Sequence, residues 1–249
     1  MSKEIDKKRC YTIAYLICIV LLINSLPFSM FIKNEIALFV INLIIKVISI
    51  FYILRYIKKE DLNKLKLDNK TSSTLKLIPL LLLCCSNFIV VLFQNSTSND
   101  INYFNIFTGL VTSIGVAIVE ELLFRSQLLE EFLRYKNKFK SILYSSLIFG
   151  LVHLLNISSL GSIPTVLVQA GYTFFLGFIV GFIYLKSRNI IFPIIFHFLF
   201  NFLNDILVIE LFNLKWDATF FIVSIVVGII SVLYMFLVLF IERRNENVT

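Results

Sequence analysis

Residues 106–125 read IFTGLVTSIGVAIVEELLFR, an apolar run that closes on two adjacent glutamates and an arginine. An α-helix crosses the hydrocarbon core of a bilayer with about 20 mostly apolar residues, so residues 106–124 qualify as a membrane span. Ionisable groups at membrane depth are costly, and each one is by default a candidate for a functional site. This stretch therefore predicts a transmembrane helix with a functional site at its end.

The rest of the chain repeats this apolar pattern. Hydrophobic residues make up 58% of the 249 residues and charged residues 16%, whereas soluble domains average about 45–50% and about 25%. These values argue against a water-soluble enzyme and exclude the disordered and low-complexity classes. The segments with the length of a span are residues 11–32, 35–57, 74–94, 106–124, 141–157, 164–185, 190–209 and 218–241. We predict an all-α polytopic membrane helix bundle of about eight transmembrane helices, forming one integral membrane domain over residues 1–249.

The basic residues predict the orientation of this bundle. With the N-terminus in the cytoplasm, 20 of the 23 Lys and Arg residues fall on cytoplasmic segments. Two, Lys33 and Lys215, fall on outside loops, and Lys46 lies within the second span. Cytoplasmic loops carry an excess of Lys and Arg, so we expect both termini in the cytoplasm. Because the basic residues are spread between apolar runs, the net charge of +7 indicates topology and not a nucleic-acid partner.

Polar and ionisable side chains interrupt three of the predicted spans. They are Glu120, Glu121 and Arg125 at the end of the fourth, His153 in the fifth, and His197 with Asn201 in the seventh. Residues four apart share a helix face, so we expect Arg125 to pair with Glu121. Glu120 is turned by about 100° from its neighbour and is free to face a reaction centre. We expect the three helices to meet at a shared interior cavity.

These groups are suited to two kinds of hydrolytic site. A carboxylate with a nearby imidazole can take a proton from water and pass it to a leaving amine. A second imidazole and a carboxamide can donate hydrogen bonds to the oxyanion of a tetrahedral intermediate. Glu120, His153 and His197 are also a typical ligand set for a catalytic zinc with one open position for water. Both interpretations predict peptide hydrolysis within the membrane, and the sequence leaves the use of a metal open.

Three short motifs carry these residues in order along the chain. Residues 120–125 (EELLFR) fit E-E-x-x-x-R, residues 149–153 (FGLVH) fit F-x-x-x-H, and residues 197–201 (HFLFN) fit H-x-x-x-N. With this spacing the chain resembles the CPBP family, also called Abi or type II CAAX prenyl endopeptidase-like intramembrane proteases. The protease core would then span residues 106–209.

The resemblance implies a role for each motif residue. Glu120 and His153 would activate the water, Glu121 and Arg125 would support the site, and His197 with Asn201 would stabilise the oxyanion. The implied activity is that of an intramembrane endopeptidase acting on a membrane-associated peptide or protein, with zinc as the cofactor if one is used. Bacterial relatives are associated with bacteriocin self-immunity and with peptide maturation, and the composition here is typical of an AT-rich bacterial gene, so we expect a cell membrane location.

Two other functional classes remain open from the sequence. A proton-coupled transporter would use buried His and Glu as a relay, but it would be expected to show two related halves, and none is visible. A catalytically silent membrane scaffold or regulator has no need of four costly polar groups inside its spans.

Three further features are interpreted structurally. Residues 125–140 predict either an amphipathic cytoplasmic extension of the fourth span or a helical connector. Gly177 and Gly181 form a G-x-x-x-G pattern that permits close helix packing. Lys46 is expected to turn into the bundle or to extend toward the interface, with binding of a substrate carboxylate as the alternative.

Overall fold

The computed structural model describes residues 6–60, 62–65, 77–83, 88, 101–156, 163–212 and 218–246. Regular structure in these residues is helical throughout, without a strand, which confirms the all-α prediction. We label the longer helical segments α1 (Lys7–Asn24), α2 (Glu35–Glu60), α3 (Ile78–Leu83), α4 (Tyr103–Leu133), α5 (Lys138–Asn156), α6 (Ile163–Ser187), α7 (Ile191–Phe212) and α8 (Ala218–Glu246).

Short polar side chains fix where four of these helices begin. An oxygen of Asp6, Asn34, Asn102 or Asn137 accepts a hydrogen bond from the backbone N–H three residues later, at 2.9–3.1 Å. The first N–H groups of a helix have no carbonyl partner within it, and an Asp or Asn cap supplies one. The starts of α1, α2, α4 and α5 are therefore set locally, immediately before apolar sequence.

Six helices in the described residues are long and apolar enough to cross a membrane: Lys7–Met30, Glu35–Lys59, α4, α5, α6 and α7. Helix α8 carries a shorter apolar stretch, Val223–Val238. The predicted span at residues 74–94 lies largely outside the described part of the chain. The total of eight spans and the cytoplasmic position of both termini therefore stay predictions.

Helix α4 does not end where the hydropathy pattern places its end. The pattern ends the span near residue 124, at its charged residues, but the helix continues to Leu133 through a π-helical stretch over Leu122–Leu129. Every residue of this stretch is buried inside the protein, whereas residues 134–140 are mostly exposed. The continuation to Leu133 fits the predicted helical extension of the fourth span, with Arg125 enclosed by neighbouring helices, while a position at the cytoplasmic interface stays a prediction.

Helix α6 is the most deeply buried of the six, with 67% of its apolar window inside the protein. It packs against α5, α7 and α8. A Cβ atom on Gly177 would lie 3.0 Å from Phe149 Cδ1 and 3.2 Å from Ser146 Cα on α5, and Gly181 faces the same helix. The close packing predicted from the G-x-x-x-G pattern is confirmed, between two helices of one chain. It brings Phe149 of the F-x-x-x-H motif against α6.

Helix α4 is held on several sides, by α2, by α7 and by the start of α1. Near its far end, Glu131 accepts a hydrogen bond from Arg9 Nε at 2.7 Å, which ties α1 to α4. Helix α7 has a π-helical stretch of its own, Phe202–Leu207, directly after Asn201. Such stretches occur often at functional sites because they change the direction of the side chains around them. The two helices that carry the first and third motifs therefore both change geometry beside their motif residues.

Candidate active site

Three ionisable side chains form a buried cluster where α4 contacts α7. Glu121 and Arg125 have an exposed fraction of 0% and His197 of 2%. Glu121 Oε1 lies 2.7 Å from His197 Nδ1, and Glu121 Oε2 lies 2.9 Å from Arg125 Nε. The expected pair of Glu121 and Arg125 is therefore present. An ionised carboxylate only accepts hydrogen bonds, so Nδ1 of His197 carries the hydrogen and Nε2 is left for another partner.

The guanidinium of Arg125 is enclosed by protein. Its contact with Glu121 is an ion pair, and its nitrogens lack hydrogen-bond geometry to any described acceptor. Arg125 Cζ lies 5.0 Å from the centre of the Phe149 ring, at cation–π distance. The glutamate charge and the ring together offset part of the hydration that the guanidinium has lost. Loss of either ionic partner would leave an uncompensated buried charge.

A cavity of about 280 Å³ lies beside the buried cluster. Glu120, His153 and Asn201 line it, each half-buried, together with His197. Glu120 Oε2 is 3.7 Å from His197 Nε2, within ion-pair distance. Other parts of the wall come from α1, α2 and α6. The structure thus brings residues of all three motifs to one interior cavity, while their chemical roles remain predictions.

His153 occupies the start of a short 3₁₀ turn that ends α5. Its Nδ1 lies 2.8 Å from the carbonyl oxygen of Phe149. A carbonyl only accepts, so this nitrogen donates and Nε2 of the neutral ring keeps a free lone pair. The Phe149 ring, four residues earlier on the same helix face, packs edge-on beside His153 with 5.0 Å between ring centres. It also contacts His197, with 5.9 Å between ring centres, so one phenylalanine orients both imidazoles.

The residues proposed as zinc ligands do not form a metal site. Within the residues that the structure describes, no group of three or more His, Cys, Asp or Glu side chains is arranged to hold a metal ion. Because Nδ1 of His153 and Nδ1 of His197 each lie against a protein oxygen, only their Nε2 atoms could reach a metal, and Nε2 of His197 lies 3.7 Å from a Glu120 oxygen. As placed here, the set of Glu120, His153 and His197 does not fit zinc, and the mechanism proposed below has no metal-dependent step.

Several cavity residues were not singled out from the sequence. They carry amide or hydroxyl groups and come from three different helices: Asn24, Asn156, Gln169, Tyr172 and Thr173. Asn156 Nδ2 donates to Gln169 Oε1 at 3.0 Å, which joins the end of α5 to α6. The sequence feature that could have identified them is a polar side chain inside an apolar span, as with Asn24 and Gln169. The sequence alone gives no sign that these side chains face the same cavity as the motifs.

In a regular helix, Asn204 and Asp205 would extend the polar stripe of the H-x-x-x-N motif by one turn. Asn204 is instead buried outside the cavity lining, and its side-chain oxygen accepts a hydrogen bond from the Phe88 backbone N–H at 3.4 Å. The side chain of Asp205 lies outside the described part of the structure. The stripe is interrupted because the π-helical stretch after Asn201 alters the direction of the following side chains.

Comparison with known families identifies the segment that contains this site. Residues 102–203 match the family model described as Type II CAAX prenyl endopeptidase Rce1-like. This segment is Rce1-like. It covers about two fifths of the chain and contains all three motifs, which confirms the resemblance predicted from them. An Rce1-like segment implies a protease, and the six long apolar helices indicate a multi-pass membrane protein. No curated protein and no solved structure matches the chain.

Proposed function

We propose that the protein is an intramembrane endopeptidase that hydrolyses a peptide bond in a membrane-associated peptide or protein. The observation that carries the proposal is the cavity in which Glu120 faces two imidazoles and a carboxamide, backed by the buried cluster. The Rce1-like match supports the class of reaction. We further propose that it works in a bacterial cell membrane, in peptide maturation or bacteriocin self-immunity, on the basis of the composition and the motifs.

Four side chains in mutual contact beside the cavity balance in charge when His197 is protonated. Glu120 and Glu121 then contribute two negative charges, and Arg125 and His197 contribute two positive ones, along one chain of contacts. Both carboxylates lie within ion-pair distance of the His197 ring, and such pairs are strong where water is excluded, so the protonated imidazole is favoured there. We therefore assign His197 as an imidazolium whose Nε2–H is directed toward the cavity.

The proposed reaction uses Glu120 as its general base. Glu120 takes a proton from a water molecule, and the hydroxide attacks the carbonyl carbon of the scissile peptide bond. His197 Nε2–H and the Asn201 amide group donate hydrogen bonds to the resulting oxyanion. Glu120 then gives its proton to the leaving nitrogen as the C–N bond breaks. Once Glu120 is protonated, the set of charges gains one positive unit, which offsets the negative oxyanion.

His153 has a supporting part in this scheme. Its Nδ1–H is held by the Phe149 carbonyl oxygen, so Nε2 accepts a hydrogen bond. We propose that Nε2 orients the attacking water toward Glu120 and the substrate carbonyl. The buried cluster acts indirectly: Glu121 holds His197 in the tautomer that presents Nε2–H, and Arg125 balances the charge of Glu121.

Peptidomics of cell membranes tests this function and does not require an identified substrate. Membranes from cells that produce the wild-type protein, the Glu120→Gln variant or the Glu35→Gln variant would be compared by mass spectrometry. Glu35 lies exposed in the first turn of α2, so its substitution is a matched control for the loss of one carboxylate. We expect cleavage products in the wild-type and control samples that are missing with Glu120→Gln. Identical peptide sets in all three samples would contradict the proposal.

A further inference from the structure

Lys46 is a cation on α2 that faces the same cavity. Its side chain is only 8% exposed, and it lines the cavity together with Glu120 and His197. A lysine at membrane depth is costly unless a partner or a function compensates for it. Of the two placements expected from the sequence, the structure shows the one in which Lys46 turns into the bundle.

The position of the lysine stem depends on a glycine in α4. A Cβ atom on Gly115 would lie 2.7 Å from Lys46 Cδ and 3.5 Å from Lys46 Cβ. The first distance is too short for two carbon atoms, so an alanine there would force the lysine to move. The methylene groups of Lys46 therefore pack directly on the α4 backbone, five residues before Glu120. This packing holds the side chain at the cavity wall.

The Lys46 ammonium has no hydrogen bond or ion pair with any residue that the structure describes. The Glu120 carboxylate interacts with it electrostatically but without an ion pair. The charge of Glu120 is already balanced within the set that includes His197. The lysine consequently adds one positive charge that has no ion-pair partner among the described residues, beside four contacting side chains whose charges balance without it. A ligand with one negative charge would complete the cavity electrostatically.

We propose that Lys46 determines specificity by binding a carboxylate of the substrate close to the scissile bond. This deepens the proposed function and rests on it. An ammonium group binds a carboxylate through charge-assisted hydrogen bonds whether it belongs to a free C-terminus or to an Asp or Glu side chain. Because Lys46 and Glu120 line one cavity, that carboxylate lies within a few residues of the cleaved bond.

Four synthetic probes distinguish the two sources of the carboxylate. Each is a palmitoylated, fluorescent peptide of alternating leucine and alanine. The first has a free C-terminal acid and the second a C-terminal amide. The third and fourth are amides with a central Asp or a central Asn. Their binding to detergent-solubilised protein in the Glu120→Gln background, and their cleavage by protein with Glu120 intact, would both be measured.

We expect at least one of the two carboxylate probes to bind and to be cleaved about tenfold better than its neutral counterpart. A preference for the free acid identifies the terminus as the source, and a preference for the Asp peptide identifies the side chain. Lys46→Met should bring the ratio of binding and cleavage between a carboxylate probe and its neutral counterpart close to one. Lys58→Met, which removes an exposed lysine from the same helix, should leave the ratio unchanged. Gly115→Ala should lower it partially by displacing the lysine stem.

Two results would overturn the inference. One is wild-type binding and cleavage that do not distinguish charged from neutral probes, in which case the peptidase function stands and the role of Lys46 fails. The other is a Lys46→Met or Lys46→Gln variant that melts normally and slows all four probes equally, because this pattern indicates an effect on Glu120. If no probe is cleaved but a Lys46-dependent binding preference is present, the carboxylate site stands and the peptidase function fails.

Discussion

Adjacent residues of α4 belong to two different environments. Glu121 lies in the buried cluster with Arg125 and His197, where none of the three has more than 2% of its surface exposed. Glu120 lies among the cavity-facing residues, with 17% of its side chain exposed, beside His153 and Asn201. A single step along the helix thus separates a carboxylate fixed by partners from one available to a substrate. This comparison shows how the chain keeps the charges that hold the structure apart from those proposed to react.

The largest expected effect comes from the same chemical change at these two neighbours. Glu120→Gln removes the proposed general base, so turnover should fall about 10²–10⁴-fold while the melting temperature stays unchanged. Glu121→Gln removes the partner of a buried arginine, so activity and melting temperature should fall together. A cleavage time course and a thermal melt in detergent measure both quantities. If both variants changed turnover and melting temperature in the same way, the two glutamates would not differ in role as the comparison proposes.

Arg125→Ala tests the buried cluster alone. The substitution leaves Glu121 without its cationic partner, which should cost about 3–5 kcal/mol of folding free energy, and activity should fall because His197 loses its support. Denaturation in mixed micelles would measure the free energy of unfolding. Arg134→Ala is a suitable control because Arg134 directly follows the same helix and has a carboxylate partner, Glu131, but 40% of its side chain is exposed. Wild-type stability in Arg125→Ala would mean that the ion pair is not structural.

Asn201 tests the opposite environment. Asn201→Ala removes one proposed donor to the oxyanion and should lower turnover about 10²–10³-fold with little effect on stability. Asn201→Asp should be worse than alanine because a carboxylate would repel the developing negative charge. The measurement is residual cleavage, with and without a chelator. An active Asn201→Asp enzyme that a chelator inactivates would replace the oxyanion role with a metal ligand.

Phe149 contacts residues of both environments. Its substitution should have the smallest effect, divided between stability and activity. The ring contacts His153, His197 and the Arg125 guanidinium. Phe149→Leu keeps the apolar volume but removes the cation–π contact, worth about 1–2 kcal/mol where the cation is desolvated. We expect a modest decrease in melting temperature and a loss of activity smaller than tenfold. A change in only one of these quantities would show that the ring serves one environment alone.

Much of this arrangement is predictable from the sequence because a bilayer constrains helices strongly. The segment predicted at residues 164–185 is found as Ile163–Ser187, and that at residues 190–209 as Ile191–Phe212. The pairing of Glu121 with Arg125 follows from helical spacing. Adjacent residues of a helix point about 100° apart, so Glu120 is expected to face away from the Glu121 pair and toward a cavity.

What the sequence does not reveal depends on which helices become neighbours. Hydropathy assigns each residue a cost of transfer from water to lipid, and on that basis Arg125 marks an exit from the membrane. Its actual surroundings include the Phe149 ring of α5, which no local pattern specifies. The same limit applies to Lys46, whose place at the cavity wall depends on Gly115 in another helix.

The π-helical stretch of α4 determines the direction in which the side chains after it point, as well as the shape of the helix. In such a stretch each backbone N–H bonds a carbonyl five residues back instead of four, so residues after it are rotated relative to a regular helix. Glu121 meets Arg125 at one end of the stretch, and Glu131 meets Arg9 beyond the other. Deleting one residue between them would rotate the two ends against each other by about 100°. Insertions and deletions in this segment should therefore be far less tolerated than substitutions.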